Sequence, residues 1–425
     1  MHTVTLESIC SRISSGGTPS RKNAEYFTAD PAGHFWVKSK ELLDCSISAT
    51  EEKITEEGFN NSAAKYFPEN SVLIAMYGAN VGQLGWLRKP ATVNQAISGL
   101  VVDDKKADWR FVFYSLLQNR GDLTIQAQGA AQQNLNQDLI RQFQISVPPL
   151  PVQRRIAGIL SAYDELMENS QRRIRILEAM ARALYREWFV HFRFPGHEKR
   201  SSPAGRGGGE GRGSLVTSPL GDLPKGWEVK PLSALCSRME SGGTPKRKSN
   251  EYWDGGEISW FKTGELWDGF LFESEEKITE LGQRESNARL FEPGTLLMAI
   301  YGSPTVGRLG IVTQPSSCNQ AALGLVADSR QISQTFLYFV LLSLRDHFNG
   351  MAQGAAQQNI SKEKVAGTPA VVPPRALITA FDRVAEPMFA QLQTLQRQIQ
   401  NLRRTRDLLL PRLLSGQVEL ETEAA

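Results

Sequence analysis

One ordered set of motifs occurs twice in this 425-residue chain, the second about 225 residues after the first, so the fold must be built from two related modules. SGGTPSRKNAEYF begins at Ser15 and SGGTPKRKSNEYW at Ser241, and EEKITEEG from Glu51 answers EEKITELG from Glu275. MYGANVGQLG from Met76 pairs with IYGSPTVGRLG from Ile300, NQAISGL from Asn94 with NQAALGL from Asn319, and QGAAQQN recurs at Gln128 and Gln353. Solenoid repeats have periods of roughly 20 to 50 residues, so a period this long is duplication of a whole domain. Two similar but non-identical modules suit a target with two similar but non-identical halves.

Such a length accommodates roughly three units of about 150 residues, each with its own core. The longest strongly apolar stretch, FLYFVLLSL from Phe336 to Leu344, is well short of the roughly 20 residues that span a bilayer. MHTVTLESIC at the start carries no basic segment followed by an apolar run and a cleavage site, so a cytoplasmic location without a membrane partner is expected. Cys10, Cys45, Cys236 and Cys318 form no C-x-x-C pair and the five histidines no zinc-type cluster, which predicts small buried thiols in a reducing compartment. Lys and Arg number 48 against 45 Asp and Glu, so binding to nucleic acid would require cations gathered on one face.

Each half reads as an α/β or α+β domain followed by a long helix. SVLIAM from Ser71 and TLLMAI from Thr295 follow turn residues and end in Tyr-Gly, as strands do. DWRFVFYSLLQNR from Asp108 and SQTFLYFVLLSLR from Ser333 read as capped, buried helices. ISVPP at Ile145 and AVVPP at Ala370 close the two domains.

After each Pro-Pro comes a heptad seam. Ile156, Leu160, Tyr163, Met167, Ser170, Ile174, Leu177, Ala181, Leu184 and Trp188 alternate steps of four and three. Ile378, Phe381, Ala385, Met388, Leu392, Leu395, Ile399, Leu402, Arg406, Leu409 and Leu413 make the second seam. An exposed seam this long would aggregate, so each helix is expected to cover the other, antiparallel, as a rod of roughly 55 Å at about 1.5 Å per residue. Pro387 predicts a bend or a late helix start. Residues 197–227, rich in Gly, Ser and Pro, read as a flexible linker. The resulting divisions are 1–149 and 225–374 as the two duplicated domains, 150–195 and 375–418 as long helices, and 196–224 as linker.

Catalytic signatures are missing. Both Pro-Pro pairs, VPPL and VPPR, lack the acid or amide and the aromatic of an adenine methyltransferase tetrad, and no Gly-rich cofactor loop follows a strand. Asp103 and Asp104 have only one acidic counterpart in the second copy, so paired carboxylates for a nuclease Mg²⁺ do not recur. Polar residues fit recognition instead. Gly16 to Pro19 lead to Arg21 and Lys22, and the second copy to Lys246, Arg247 and Lys248; glycine amides beside cations suit a phosphate. Lys38 and Lys40 follow Trp36, and Lys262 follows Trp260. The Tyr-Gly loops share a frame but differ at their tips. Beside Tyr77 stand Asn80 and Gln83, and beside Tyr301 stand Ser303 and Arg308, which fits readout of two different half-sites. Gln132 and Gln133, identical to Gln357 and Gln358, cannot distinguish half-sites, so backbone contacts or capping are expected of them.

With SGGTP before an aromatic, W-x-K, YG-x-x-x-G, NQA, the Pro-Pro pairs, LPKGWEVKPL at Leu223 and LLPRLLSGQVEL at Leu409, the chain resembles the specificity subunits of type I restriction-modification systems over nearly its full length. The resemblance implies two target-recognition domains of α/β (α+β) type joined by two long antiparallel coiled-coil helices. Each domain would read one part of a split, asymmetric sequence in double-stranded DNA. It further implies two methyltransferase subunits and restriction subunits as partners, with S-adenosylmethionine, ATP and Mg held by them and no cofactor or catalytic residue in this chain. A self-contained adenine methyltransferase or nuclease, and a duplicated DNA-binding regulator, are the competing readings.

Overall fold

A run of consecutive apolar residues is stable as a strand only when both its faces are covered, and Val72–Ala75 is buried at every position. The computed structural model describes residues 2–128, 134–196, 215–302, 305–353 and 359–418. They fall into two units, one made of Met1–Asn169 with Ile399–Ala425, the other of Ser170–Gln398.

In the first unit Val72–Ala75 is the centre of a five-stranded sheet ordered Cys10–Ser15, Ile97–Val102, Val72–Ala75, Leu84–Leu87, Cys45–Ile47. Neighbours are antiparallel except at the edge, where Cys45–Ile47 runs parallel to Leu84–Leu87. The two-residue side-chain period splits the central strand between two cores. Val72 and Ile74 pack with Phe111 and Leu160, whereas Leu73 and Ala75 pack with Val37, Phe67 and Val93 of a second five-stranded sheet. Phe111 comes from helix Trp109–Gln118, whose start is capped by the Asp108 carboxylate accepting from the amides of Arg110 and Phe111 at 3.0 and 3.3 Å. His2–Thr5 pairs with Gln144–Val147, so the chain's first strand lies beside the last strand before Pro148.

The first long helix, Leu150–Tyr185, starts immediately beyond that proline pair. Its Ile156 and Leu160 share the larger core with Leu410 and Leu413 of the second long helix, Arg375–Leu414. Above them Arg406 Nη1 donates to Asp164 Oδ1 at 2.6 Å, and the Tyr114 hydroxyl donates to Asp164 Oδ2 at 2.5 Å. Burial holds the Asp164 carboxyl above the usual range, and the neighbouring guanidinium only partly offsets that.

The second unit repeats the plan. Its five-stranded sheet runs Cys236–Ser241, Ala322–Ala327, Leu296–Ala299, Leu309–Val312, Gly269–Leu271, again with one parallel neighbour at the last edge. Glu276–Ile278, Ile258–Phe261 and Ser316–Cys318 form the companion sheet, and Glu228–Pro231 pairs with Pro369–Val372 ahead of the second proline pair. Ser333 caps helix Gln334–Ser343 by accepting from the Phe336 amide at 3.0 Å. Here the end of the first long helix meets the start of the second, with the Phe189 and Phe381 rings 5.2 Å apart. Tyr114 and Asp164 correspond by duplication to Phe339 and Phe389, and Arg406 to Ala181. In this unit the two phenyl rings sit edge to face at 5.5 Å beside a buried alanine. One unit holds a hydrogen-bonded ion pair where the other holds aromatic packing.

Three sequence expectations are modified. Pro387 neither delays nor ends its helix; it is exposed, so the Arg383 carbonyl that loses an amide partner faces the solvent side. The described part of the expected linker is not featureless, because Leu215–Ser218 and Gly221–Pro224 form a hairpin whose Leu223 is buried near Trp227 and Phe189. Cys45 is exposed rather than buried, while burial pushes the Cys10, Cys236 and Cys318 thiols up to about 12. Among the described residues no helix is long and apolar enough to cross a membrane.

Arg406→Ala leaves Asp164 buried without its cation and is expected to cost about 3 kcal/mol in a denaturant titration. The folded-state pKa of Asp164 already lies above its unfolded value, so the native state binds the proton more tightly and this group's contribution improves as pH falls. The variant should therefore recover part of its loss at mildly acidic pH, which urea titrations at two pH values will measure.

Candidate nucleic-acid interface

The Gly-Gly-Thr-Pro turns are glycine for lack of room. A Cβ on Gly16 would lie 1.9 Å from the Val93 carbonyl oxygen, and one on Gly242 2.2 Å from that of Cys318. Their amides already donate within the protein: Gly16 to Ile97 at 3.2 Å, Gly17 to Val93 at 2.9 Å, Gly242 to Ala322 at 3.0 Å and Gly243 to Cys318 at 2.9 Å. The phosphate cradle expected at those four amides therefore does not form. The turn's Gly17 carbonyl instead accepts from the buried Trp36 indole at 3.0 Å, and Gly243 from Trp260 at 2.8 Å. The tryptophans are core anchors.

Around each anchor lies a lattice of ions. Arg21 stacks on Phe27 at 4.1 Å and pairs with Glu52 at 2.7 Å, while Lys38 reaches Glu51 at 2.9 Å and Glu52 at 3.6 Å, and Lys40 reaches Glu51 at 2.7 Å. The Lys40 and Lys38 ammonium groups hold the Glu51 carboxyl down at about 2, so it stays ionised at any physiological pH. Arg21 likewise lowers Glu52. In the second unit Arg247 grips Glu276 through two nitrogens at 2.8 and 3.0 Å and stacks on Trp253 at 4.0 Å, and Lys262 reaches Glu275 at 2.8 Å. These five cations are part of the fold's own ion pairs. Lys22, Lys246 and Lys248 stand exposed beside them.

A second cluster forms at the Tyr-Gly loops. Gly82 and Gly307 take φ of +80°, turning each loop back so that Gln83 and Arg308 bond to the strand they left: the Ala75 amide donates to the Gln83 carbonyl and that of Ala299 to Arg308, both at 2.9 Å. A turn ending in an aspartate at positive φ, Asp44 at 58° and Asp268 at 63°, docks on this point. Asp44 Oδ1 accepts from the Leu84 amide at 3.1 Å and pairs with Arg120; Asp268 Oδ1 accepts from Leu309 at 3.0 Å, and Arg345 Nη1 donates to its Oδ2 at 2.8 Å. In both units the residue after the QQN string, Leu135 or Ile360, donates its amide to the residue before the loop tyrosine, Met76 at 2.7 Å or Ile300 at 2.9 Å. Asn359 Oδ1 accepts from the Gly302 amide at 3.2 Å, in the preceding loop and not in the element that follows. The Asn-Gln-Ala segment joins the two clusters, since Asn94 donates to Val37 beside Lys38 at 2.9 Å and Ala96 accepts from Met76 beside Tyr77 at 2.8 Å.

The duplication thus brings the Tyr-Gly loop and the residue after the QQN string together in each unit and sets the cation lattice at the other end of the Asn-Gln-Ala link. Tyr77 is half-buried, its phenol raised by burial, whereas Tyr301 is 40% exposed. Asn80, Gln83 and Arg308 are half-buried, and Gln83 Oε1 is buried without a hydrogen-bond partner among the described residues. Gln132, Gln133, Ser303, Gln357 and Gln358 lie outside the described residues. Sequence reasoning misses the Asp–Arg clamp. The signal was there: both copies keep Leu-x-Asp ending six residues after the lysine of W-x-K, and an arginine at the foot of the helix that follows. Among the described residues no three His, Cys, Asp or Glu side chains gather as for a metal ion.

The family described as type I restriction modification DNA specificity domain matches residues 1–179 and 224–376. The chain is 25% identical over 418 residues to the specificity subunit of the type I restriction enzyme MjaIX of Methanocaldococcus jannaschii, covering 96% of this chain and 91% of that one. It is 23% identical over 330 residues to the HindI specificity subunit of Haemophilus influenzae, covering 66% and 70%. The fold is that of a crystallised type I restriction-modification S subunit from M. genitalium, with a TM-score of 0.60, 15% identity and coverage of 97% and 95%.

Asp44→Ala and Asp268→Ala each free one Tyr-Gly loop from its clamp and orphan a half-buried arginine. Each is expected to lower stability by about 2 kcal/mol, read by denaturant titration, with faster amide exchange at Leu84 in the first variant and at Leu309 in the second.

Proposed function

Because the chain belongs to the type I restriction modification DNA specificity domain family and is a specificity subunit that recognises DNA sequence, we propose that each module reads one half of a bipartite, asymmetric target. The observation that carries this reading is one clamp built twice around different tips: Asp44–Arg120 beneath Gln83, Asp268–Arg345 beneath Arg308. Shared scaffolding fixes how each module meets the duplex, and the tip residues set what it reads. Lys22, Lys246 and Lys248, free on the surface, supply phosphate attraction, which positions the protein without choosing a sequence. Arg21, Lys38, Lys40, Arg247 and Lys262 serve the same face by exchanging a carboxylate for a phosphate. Tyr77, Asn80, Gln83, Tyr301, Ser303 and Arg308 serve base readout, and Gln132, Gln133, Gln357 and Gln358 serve contacts to the DNA backbone or cap the element that follows.

The two long helices are the ruler between half-sites. Their seam positions are buried or half-buried throughout, and Asp164–Arg406 in one unit and Phe189–Phe381 in the other suit antiparallel pairing as a coiled coil. Catalysis belongs to partners in the cytoplasm. Two methyltransferase subunits using S-adenosylmethionine and restriction subunits using ATP and Mg would dock on this chain, which contributes no catalytic residue.

Two experiments on the assembled complex test the proposal. Exchanging residues 15–145 for the matching segment of a relative, then mapping methylated adenines by single-molecule sequencing, is expected to change one half-site and preserve the other; altered letters in both would defeat independent modules. Removing one heptad from each long helix shortens the rod by about 10 Å, or roughly three base pairs of duplex. The accepted spacing should contract accordingly, and an unchanged spacing would show that the helices do not set it.

A further inference from the structure

The turn that docks beneath each Tyr-Gly loop carries a large apolar side chain in the open. Trp267 is 70% exposed and its counterpart Leu43 is 67% exposed, although the preceding residues, Leu266 and Leu42, are completely buried. Two duplicated turns that bury one apolar residue and present the next to solvent are not explained by core packing. Their rigidity is equally unexplained by an idle surface loop. The Asp268 amide donates to the Leu309 carbonyl at 2.7 Å, its carboxylate takes the Leu309 amide and Arg345, and the Tyr338 hydroxyl donates to the Asp268 carbonyl at 2.8 Å. Trp267 is thereby held beside Arg308, whose guanidinium lies 4.4 Å from the indole centroid.

Resting on the DNA-recognition reading, we infer that this turn is the second half of each base-reading tip, and that Trp267 is a positioning residue aiming Arg308 at a guanine in the major groove. Guanine presents O6 and N7, and a planar guanidinium meets both at once only if its plane is fixed beforehand. A half-buried arginine stem lying on an exposed indole supplies that constraint. In the first module Leu43 and Gln83 occupy the same two positions. There Leu43, the exposed member of the pair, suits an apolar contact such as a thymine methyl. The two modules thus differ in a matched pair of side chains on an unchanged frame.

Full-length variants, each assembled with the methyltransferase subunits, test this against the wild-type complex by competition binding over a randomised duplex library. Trp267→Leu and Arg308→Gln should each lose discrimination on the order of 10- to 100-fold, at the same one or two adjacent positions of one half-site. Trp267→Phe should keep most of it, and Leu43→Ala should alter only the other half-site. For Trp267→Leu and Leu43→Ala, melting temperature and the salt dependence of non-specific binding should not move, because both side chains are largely exposed and uncharged. If the wild type selects a bipartite site and Trp267→Leu selects it equally well, or if Trp267→Leu and Arg308→Gln act on different half-sites, the inference fails and the DNA-recognition reading survives. A wild-type complex that selects no sequence overturns both.

Discussion

The largest core in each unit is finished by side chains from both long helices, and the rest of the structure depends on that completion. Ile156, Leu160, Leu410 and Leu413 in the first unit, and Tyr185, Phe189, Ile378 and Phe381 in the second, cover a sheet face that would otherwise meet water. A recognition module and its helix ends are therefore one folding unit. At roughly 25 cal/mol per Å² of buried apolar surface, this shared core makes the helices a rigid extension of the module and not a tether.

The Tyr-Gly loops inherit their order from the same core. The buried Val72–Ala75 strand delivers the chain directly to Tyr77, and the matching Leu296–Ala299 strand delivers it to Tyr301. The loop leaves a fully packed strand, is pinned by an aspartate clamp, and returns as the next strand of the same sheet. Its return is fixed at Gln83 and Arg308 by backbone hydrogen bonds to Ala75 and Ala299. Such preorganisation places polar groups before a ligand arrives and lowers the entropy lost on binding.

Much of this was legible in the sequence, for identifiable reasons. Period-two and heptad patterns are local consequences of burial, so the central strands, the capped helices and both long seams could be read directly. The duplication added what one copy could not give: two independent readings of each element. What the sequence concealed was long-range pairing. Nothing local tells that Arg21 answers Glu52 or that Arg120 answers Asp44, 76 residues away. The cations beside the Gly-Gly-Thr-Pro turns looked ready for phosphate, yet Arg21 and Arg247 among them are held by carboxylates contributed from elsewhere in the fold. Glycine there meant crowding by Val93 and Cys318, which only the tertiary structure reveals.

The unlike chemistry at the two helix junctions has a thermal consequence. Desolvating an ion pair such as Asp164–Arg406 becomes less costly as temperature rises, whereas the apolar contacts around Phe339, Phe381 and Phe389 weaken on cooling. On cooling, both junctions lose ground, the charged one through a rising desolvation cost and the aromatic one through a fading hydrophobic contribution. A protein whose paired halves were chemically identical would answer a change of temperature in the same way at both junctions; in this one the charged junction still gains on heating where the apolar contribution has levelled off.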